Sequence, residues 1–358
     1  MKKTPLHDRH VAAGGKMVDF AGWSMPLNYG SQIEEHKQVR ADAGQFDVSH
    51  MTVVDVTGAG ATDYLRGLVA NDVAKLKAPG RALYGALLNE AGGVVDDLIV
   101  YRRTGGYRLV VNAGTRDKVI PWLQRHLTAD AEIAERQDLA IVAVQGPRAL
   151  ERAAEALPAL AGVSELRPFR FLEADEIMAA RTGYTGEDGV ELILPNAAAV
   201  EVSAALEAAG VPLIGLAARD TLRLEAGLNL YGQDMDDAVS PLAANLGWTI
   251  SWQPGARDFI GRASVTAVRD DGDHALLVGV VLRERGVLRA GQEIETNAGP
   301  GVLTSGAFAP SLGYSIAFAR VPSAARGEAR VTIRGRELAV TLVSLPFVRR
   351  GDTVYQPL

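Results

Sequence analysis

The sequence contains no cysteine. Disulfides, thiolate nucleophiles and Cys-ligated zinc or iron–sulfur centres are therefore excluded, and a reducing cytoplasm fits. Lysine is scarce and unevenly placed: none follows Lys118. A Schiff-base lysine would have to come from the first third of the chain, which disfavours a pyridoxal phosphate enzyme. No apolar run approaches the length of a membrane span. Met1-Lys2-Lys3-Thr4-Pro5-Leu6 has two lysines but no apolar stretch after them, so it reads as neither a secretory signal nor a transit peptide. Also missing are G-x-G-x-x-G after a strand, H-E-x-x-H, a Walker sequence and G-x-S-x-G. Dinucleotide and metal enzymes are disfavoured. His7 and His10 are the closest histidine pair and, with no third ligand nearby, read as a surface pair.

What is present is the composition of an ordinary globular protein, 47% apolar and 22% charged. A chain of 358 residues exceeds one typical core, so two or three domains are expected. A formal net charge of −6 argues against general affinity for nucleic acid or anionic lipid.

The most informative stretch is Asn89 to Tyr101. Glu90-Ala91-Gly92-Gly93 is a glycine-bearing link between β-rich runs, Thr104-Gly105-Gly106 is the next, and together they predict a three-strand meander. Asp96 and Asp97 fall inside a strand otherwise made of Val, Leu and Ile. Side chains alternate along a strand, so the two carboxylates point to opposite faces, and at least one meets a packed surface where an unpaired charge is costly. Two readings are open: one is solvated and the other bonded to a loop, or one is held in a ligand pocket facing a cationic or proton-bearing substrate. Parity does not choose, because both faces carry apolar neighbours.

Before this stretch, a short helix is expected over Asp8 to Ala13. A second is expected from Ser31 as N-cap to about Ala43, with Glu34 as capping-box partner and Gly44 as terminator. Asp47, Ser49 and His50 invite a triad reading, which is rejected because residues so close in one strand or turn cannot form the relay. Val53 to Val56 reads as a strand, Gly60 to Ala70 as a helix, Thr115 to Leu127 as a helix capped by Thr115, and Ala131 to Ala134 as a strand. That order, β-α-β-β-β-α-β, resembles a split β-α-β, ferredoxin-like layer of helices on an antiparallel sheet.

Leu139 to Pro147 is a buried-looking strand, followed by a helix over Arg148 to Leu157 and strands at Phe169 to Glu173 and Glu176 to Arg181. Gly183-Tyr184-Thr185-Gly186-Glu187-Asp188-Gly189 reads as a tight turn. Helices follow at Ala197 to Ala209 and Gly215 to Leu228. The second puts Arg219 and Arg223 on one face, on spacing alone a solvated or salt-bridged stripe before a ligand contact. Tyr231 to Pro241 is an acidic link, and Leu242 to Leu358 carries many short β-rich runs that predict an antiparallel sandwich or small barrel.

Several stretches together resemble the glycine cleavage system T-protein family, the aminomethyltransferases. They include Lys16-Met17-Val18-Asp19-Phe20-Ala21-Gly22-Trp23, Phe46-Asp47-Val48-Ser49-His50-Met51 and Gly92-Gly93-Val94-Val95-Asp96-Asp97-Leu98-Ile99-Val100-Tyr101. Arg181 to Gly189, Ala218-Arg219-Asp220-Thr221-Leu222-Arg223-Leu224-Glu225-Ala226-Gly227 and Thr304 to Tyr314 complete the set, in order and almost end to end. The resemblance implies an α+β, three-domain cloverleaf enclosing tetrahydrofolate: a discontinuous, mixed folate-binding domain (1–50 plus 138–240), a ferredoxin-like α/β layer (51–137) and a C-terminal antiparallel β-barrel (241–358).

It further implies transfer of a one-carbon unit from the aminomethyl-dihydrolipoyl arm of a lipoylated H protein to tetrahydrofolate, with release of ammonia. The other glycine cleavage components would be indirect partners. No metal, flavin or nucleotide cofactor, nucleic acid or membrane is implied, and the setting would be cytoplasmic. By the same resemblance Asp97 is the catalytic carboxylate, Glu191 and Arg219 meet the pterin, and Met51, Tyr84, Tyr101, Asn112, Tyr184 and Trp248 line the folate pocket. Arg349, Arg350 and Tyr355 are candidates for a C-terminal contact. A folate-dependent demethylating domain of the same fold would need a flavin domain, for which there is neither room nor fingerprint. The alternative is a non-catalytic folate-binding protein of this fold, of the tRNA-modification or iron–sulfur assembly type. That group carries a cysteine in its glycine-rich signature, and Gly183 to Glu187 has none.

Overall fold

A computed structural model describes residues 1–358. The chain divides into two compact units. Residues 1–62, 75–83 and 99–222 form the first, and residues 63–74, 84–98 and 223–358 the second. No helix is long and apolar enough to cross a membrane.

The first unit is built on an antiparallel sheet whose strands run in the order Phe171–Ala174, Ile177–Ala180, Gly189–Pro195, Leu139–Gln145, Gly44–Asp47. Leu139–Gln145 reads as one apolar run because it is covered on both faces. Ala140, Val142 and Val144 pack with Ala149, Ala153, Val202 and Leu206 of two helices, Ala149–Ala156 and Ala199–Ala208. Ile141 and Ala143 pack on the other face with Phe46, Val39 and Leu222.

The helix predicted from Ser31 spans Gln32–Ala41, and the Ser31 hydroxyl accepts from the Glu34 amide at 3.3 Å. The reciprocal half of the capping box is absent, because the Glu34 carboxylate takes Lys37 Nζ instead, at 2.9 Å. Gly44 does not terminate this helix. It opens the next strand, where a Cβ would lie 2.4 Å from Ile214 Cγ1, so the glycine serves close packing. Thr115 precedes the helix Arg116–Arg125, but its hydroxyl donates back to the Asn112 carbonyl at 2.9 Å and caps nothing. His10 is the clearest departure. Expected at the surface, it is wholly buried, because Asp47 and Tyr29 supply the partners that an imidazole needs inside a core.

A second five-stranded sheet has the order Arg81–Leu88, Val94–Arg103, Gly106–Val111, Thr52–Thr57, Glu132–Glu135. With the helices Ala61–Leu68 and Arg116–Arg125 it reproduces the predicted β-α-β-β-β-α-β order. The two predicted links are hairpin turns, with Gly92 at φ +84° and Gly105 at +82°. The first two strands pass from one unit to the other, so residues 84–98 belong to the second.

The rest of the second unit carries a closed antiparallel barrel, Leu276–Leu282, Tyr314–Val321, Gly299–Ala309, Glu293–Thr296, Glu328–Ile333 and Arg336–Val343. Closure comes from Val280 pairing with Leu342, which resolves the choice between sandwich and barrel. Alternate residues Val278, Val280 and Leu282 face a core shared with Leu303, Ala317, Val331 and Val340. One element is unexpected: the helix Arg262–Asp271 falls where only strands are predicted. Only Val265 in it is buried, so its apolar stripe is short, and its ends are set by Gly261 and Gly272, both at positive φ.

At the heart of this unit Arg223 and Asp234 form a buried ion pair, Nη1 to Oδ2 at 2.8 Å. Ser305 accepts from Arg223 Nη2 at 2.9 Å, while Thr304 and Ser305 donate to Asp234 Oδ1 at 2.6 and 2.7 Å. Arg223 is thus a core cation and not part of a solvated stripe. Asp234→Ala is expected to destabilise the protein by about 3–5 kcal/mol, since it strands a buried guanidinium. Urea unfolding of variant and wild type checks this.

Candidate functional site

The predicted residues fall into two groups, one in each unit. In the first, the pairing of Leu139–Gln145 with Gly189–Pro195 sets Ala143 opposite Glu191 and Gln145 opposite Gly189. Glu191 is half-buried, and its Oε2 accepts from the Thr182 hydroxyl at 2.6 Å. The Tyr101 hydroxyl lies 3.4 Å from the same Thr182 oxygen. Because the threonine proton is directed at the carboxylate, Tyr101 is the donor in that contact. Burial, and then the Glu191 charge, push the Tyr101 phenol well above its ordinary value, so it stays protonated.

Arg219 projects from the helix Leu216–Glu225. Its guanidinium lies 4.8 Å from the centre of the Tyr184 ring and 5.7 Å from that of Phe46. Nη1 is buried with no protein partner. Burial pulls the Arg219 pKa below its ordinary value, against the opposing charge of Glu191. A cationic donor without an acceptor is costly to bury. Together with a carboxylate that offers a second oxygen, it suits a flat ligand presenting paired N–H donors beside a carbonyl. Met51 packs half-buried against the cluster containing Phe46, Ile141 and Leu222. Asn112, also half-buried, follows the strand Gly106–Val111 and lends its carbonyl to Thr115.

The neighbouring Asp47, Ser49 and His50 form no triad. Asp47 Oδ2 accepts from the Thr4 hydroxyl at 2.6 Å and contacts His10 Nε2 at 2.8 Å, while Oδ1 accepts from the Ser49 amide at 2.9 Å. The Ser49 hydroxyl is tied to the backbone of Ile141. Burial pushes the Asp47 carboxyl upward, but the His10, Thr4 and Ser49 hydrogen bonds outweigh it and hold the group below the usual value. His50 is itself buried, packs edge-on against Phe20, and leaves Nδ1 without a partner.

In the second unit, Asp97 is half-buried and its Oδ2 accepts from the Tyr84 hydroxyl at 2.8 Å. Asp96, on the alternate face, is wholly buried, so neither aspartate is simply solvated. The Trp248 ring stacks on Tyr84 with centroids 6.0 Å apart at 30°, and the indole is 70% exposed. A carboxylate aimed by a phenol, flanked by an uncovered aromatic face, can receive a cationic or N–H-bearing heterocycle. Among the C-terminal candidates, Tyr355 is engaged by Tyr314 at 2.6 Å and Arg283 at 2.8 Å, while Arg349 and Arg350 are exposed. Surface cavities of about 560 Å³ (Pro147, Leu150, Ser164) and about 400 Å³ (Asp63, Arg66, Pro254) hold none of these residues.

Sequence reasoning missed Thr182, which donates to Glu191, and Gln145, whose amide bonds the segment 182–185. Gln145 had a signal, a lone amide at the end of an apolar strand. Thr182 had none.

The chain is an α+β protein with a closed six-stranded barrel near its C-terminus. The GCVT N-terminal domain family matches residues 6–254, and the glycine cleavage T-protein C-terminal barrel domain family matches residues 276–349. The aminomethyltransferase of Chromobacterium violaceum is 53% identical over 99% of both chains, and that of Alcanivorax borkumensis 54% identical over the same shares. The crystal structure of glycine cleavage system aminomethyltransferase T from Bartonella henselae superposes with a TM-score of 0.91 at 36% identity, covering 98% of each chain. The chain belongs to the glycine cleavage T-protein family and is an aminomethyltransferase. The non-catalytic alternative is not favoured.

The burial of His50 has a consequence for pH. Burial, opposed by Asp47 and reinforced by the Arg219 charge, lowers its pKa from 6.5 to about 4. The unfolded chain then takes up a proton that the folded chain refuses, so stability is lost as pH falls from 6.5 toward 4. The loss from this one group is about 3 kcal/mol. His50→Gln is expected to flatten the wild-type decline by that amount in urea titrations across the window.

Proposed function

We propose that the protein transfers the one-carbon unit of the aminomethyl-dihydrolipoyl arm of a lipoylated H protein to tetrahydrofolate. The C–S bond and the bond to the amine break, and two C–N bonds form. The two protons lost from the acceptor nitrogens end on the thiolate and the departing amine, giving dithiol and ammonia. No oxidation state changes, so the step needs no flavin or nicotinamide, and the reading assigns no metal. Under it the protein works in the cytoplasm beside the other glycine cleavage components. The division into 1–50 plus 138–240, 51–137 and 241–358 belongs to the same proposal.

Tetrahydrofolate supplies the two amine nitrogens that take up the carbon. Glu191 accepts from the adjacent N–H donors of the pterin, and Arg219 Nη1 donates to its carbonyl. Tyr101 and Thr182 keep Glu191 in place. Tyr101, Tyr184, Met51, Asn112 and the Tyr84–Trp248 pair supply contact surface. Asp97 is the catalytic carboxylate: it orients the folate amine and stabilises positive charge as it develops on the carbon losing ammonia. Tyr84 holds its Oδ2 in that orientation. The observation that carries the reading is Arg219 Nη1, a buried cationic donor with no partner in the protein and within the field of Glu191.

Ammonia release from aminomethylated H protein, with and without tetrahydrofolate, is the direct test. Release that tetrahydrofolate does not accelerate would refute the proposal. Asp97→Asn is expected to keep the fold and most folate affinity while lowering transfer at least ~10²-fold; full activity in that variant removes Asp97 from the chemistry. Glu191→Ala is expected to weaken tetrahydrofolate binding about tenfold or more, through loss of a charged hydrogen-bond acceptor. Calorimetry reads this, and unchanged affinity assigns the pterin edge elsewhere.

A further inference from the structure

Gln145 ends the otherwise apolar strand Leu139–Gln145 and is completely buried. A primary amide has two donor hydrogens and two acceptor lone pairs, and here all four are used. Nε2 donates to the carbonyls of Val144 at 3.1 Å and Thr182 at 3.2 Å. Oε1 accepts from the Tyr184 amide at 3.2 Å and from the Thr185 hydroxyl at 3.0 Å. Three of the four partners lie in one short segment, 182–185.

The local glycines are arranged around this amide. A Cβ at Gly183 would lie 1.9 Å from Gln145 Oε1, and one at Gly189 2.2 Å from Nε2. Only Gly186, at φ +79°, needs glycine for its backbone conformation. Gly183 and Gly189 are there to let the amide in, which a tight-turn reading does not capture.

Both ends of the segment bear on the proposed pterin edge. Thr182 holds Glu191 Oε2 at 2.6 Å, and the Tyr184 ring is the face over which Arg219 lies at 4.8 Å. We propose that Gln145 is a positioning residue for folate binding: one amide fixes the segment 182–185 and through it sets both Glu191 and Arg219. This rests on the folate reading and deepens it, since Gln145 acts without touching the ligand. Its replacement loosens two contacts at once, and a satisfied buried network of this kind is worth more than its separate bonds.

The test uses Gln145→Met, which keeps side-chain length and removes the amide, and Thr185→Val, a milder change that removes one of the four bonds. Amide exchange of the peptide containing residues 182–189 is measured in the free protein, and tetrahydrofolate affinity by calorimetry. Gln145→Met is expected to speed exchange in that peptide about tenfold while core strands stay protected, and to weaken binding about tenfold. Thr185→Val is expected to do the same to a smaller degree, and decides the matter if Gln145→Met does not fold. The double variant Gln145→Met/Glu191→Ala should lose less affinity than the sum of the two single losses, because the two changes share the Glu191 contact. A purely structural role would instead add the two losses. Unchanged exchange, wild-type affinity or additive losses would each overturn the inference alone. A wild-type protein that takes up no tetrahydrofolate would overturn it together with the reading it rests on.

Discussion

The register between Leu139–Gln145 and Gly189–Pro195 is the constraint on which the first unit depends. It is held because both faces of the central strand are packed, so a slip of one residue would turn Ile141 and Ala143 into the core shaped for Ala140, Val142 and Val144, and that set into theirs. Once Gln145 lies opposite Gly189 and Ala143 opposite Glu191, the positions of a buried amide and a half-buried carboxylate follow. The apolar packing therefore does more than stabilise the sheet. It determines which polar atoms can meet at its end.

Throughout the molecule, buried charge comes with partners. Asp47 has Thr4, His10 and the Ser49 amide; Asp234 has Arg223, Thr304 and Ser305; Asp97 has Tyr84. Each arrangement replaces lost hydration with directed hydrogen bonds. Arg219 departs from this pattern, keeping aromatic faces on its guanidinium but no acceptor at Nη1. In the proposed function a ligand carbonyl completes it, and ligand N–H donors meet the second Glu191 oxygen. The buried pairs hold the fold, and Arg219 Nη1 stands apart from them as a buried donor without an acceptor.

Much of the organisation was legible in the residues. The hairpins at Gly92 and Gly105, the β-α-β-β-β-α-β order and the strand-rich C-terminal region follow from turn chemistry and period, which act over a few residues. The triad at Asp47, Ser49 and His50 could be dismissed for a similar local reason. The helix Arg262–Asp271 was not read, because it is short, buries only Val265 and falls in a region dominated by β-rich runs. The burial of His10 and Arg223 also escaped, since their partners Asp47 and Asp234 are identified only once distant strands have paired or the chain has turned back. Asp97, Glu191 and Arg219 could be named from family resemblance, but not their immediate partners.

By itself the sequence determined the class of chemistry. It lacks cysteine, late lysines and a nucleotide loop, and it carries the motifs of the aminomethyltransferase family in order. Only the tertiary structure decided how those groups are held: that Thr182 faces Glu191, that Tyr84 faces Asp97, and that Gln145 joins a strand end to the segment carrying Tyr184. Local pattern dictates periodicity and turns, whereas hydrogen bonds between residues far apart in the chain depend on packing and register, which exist only after folding.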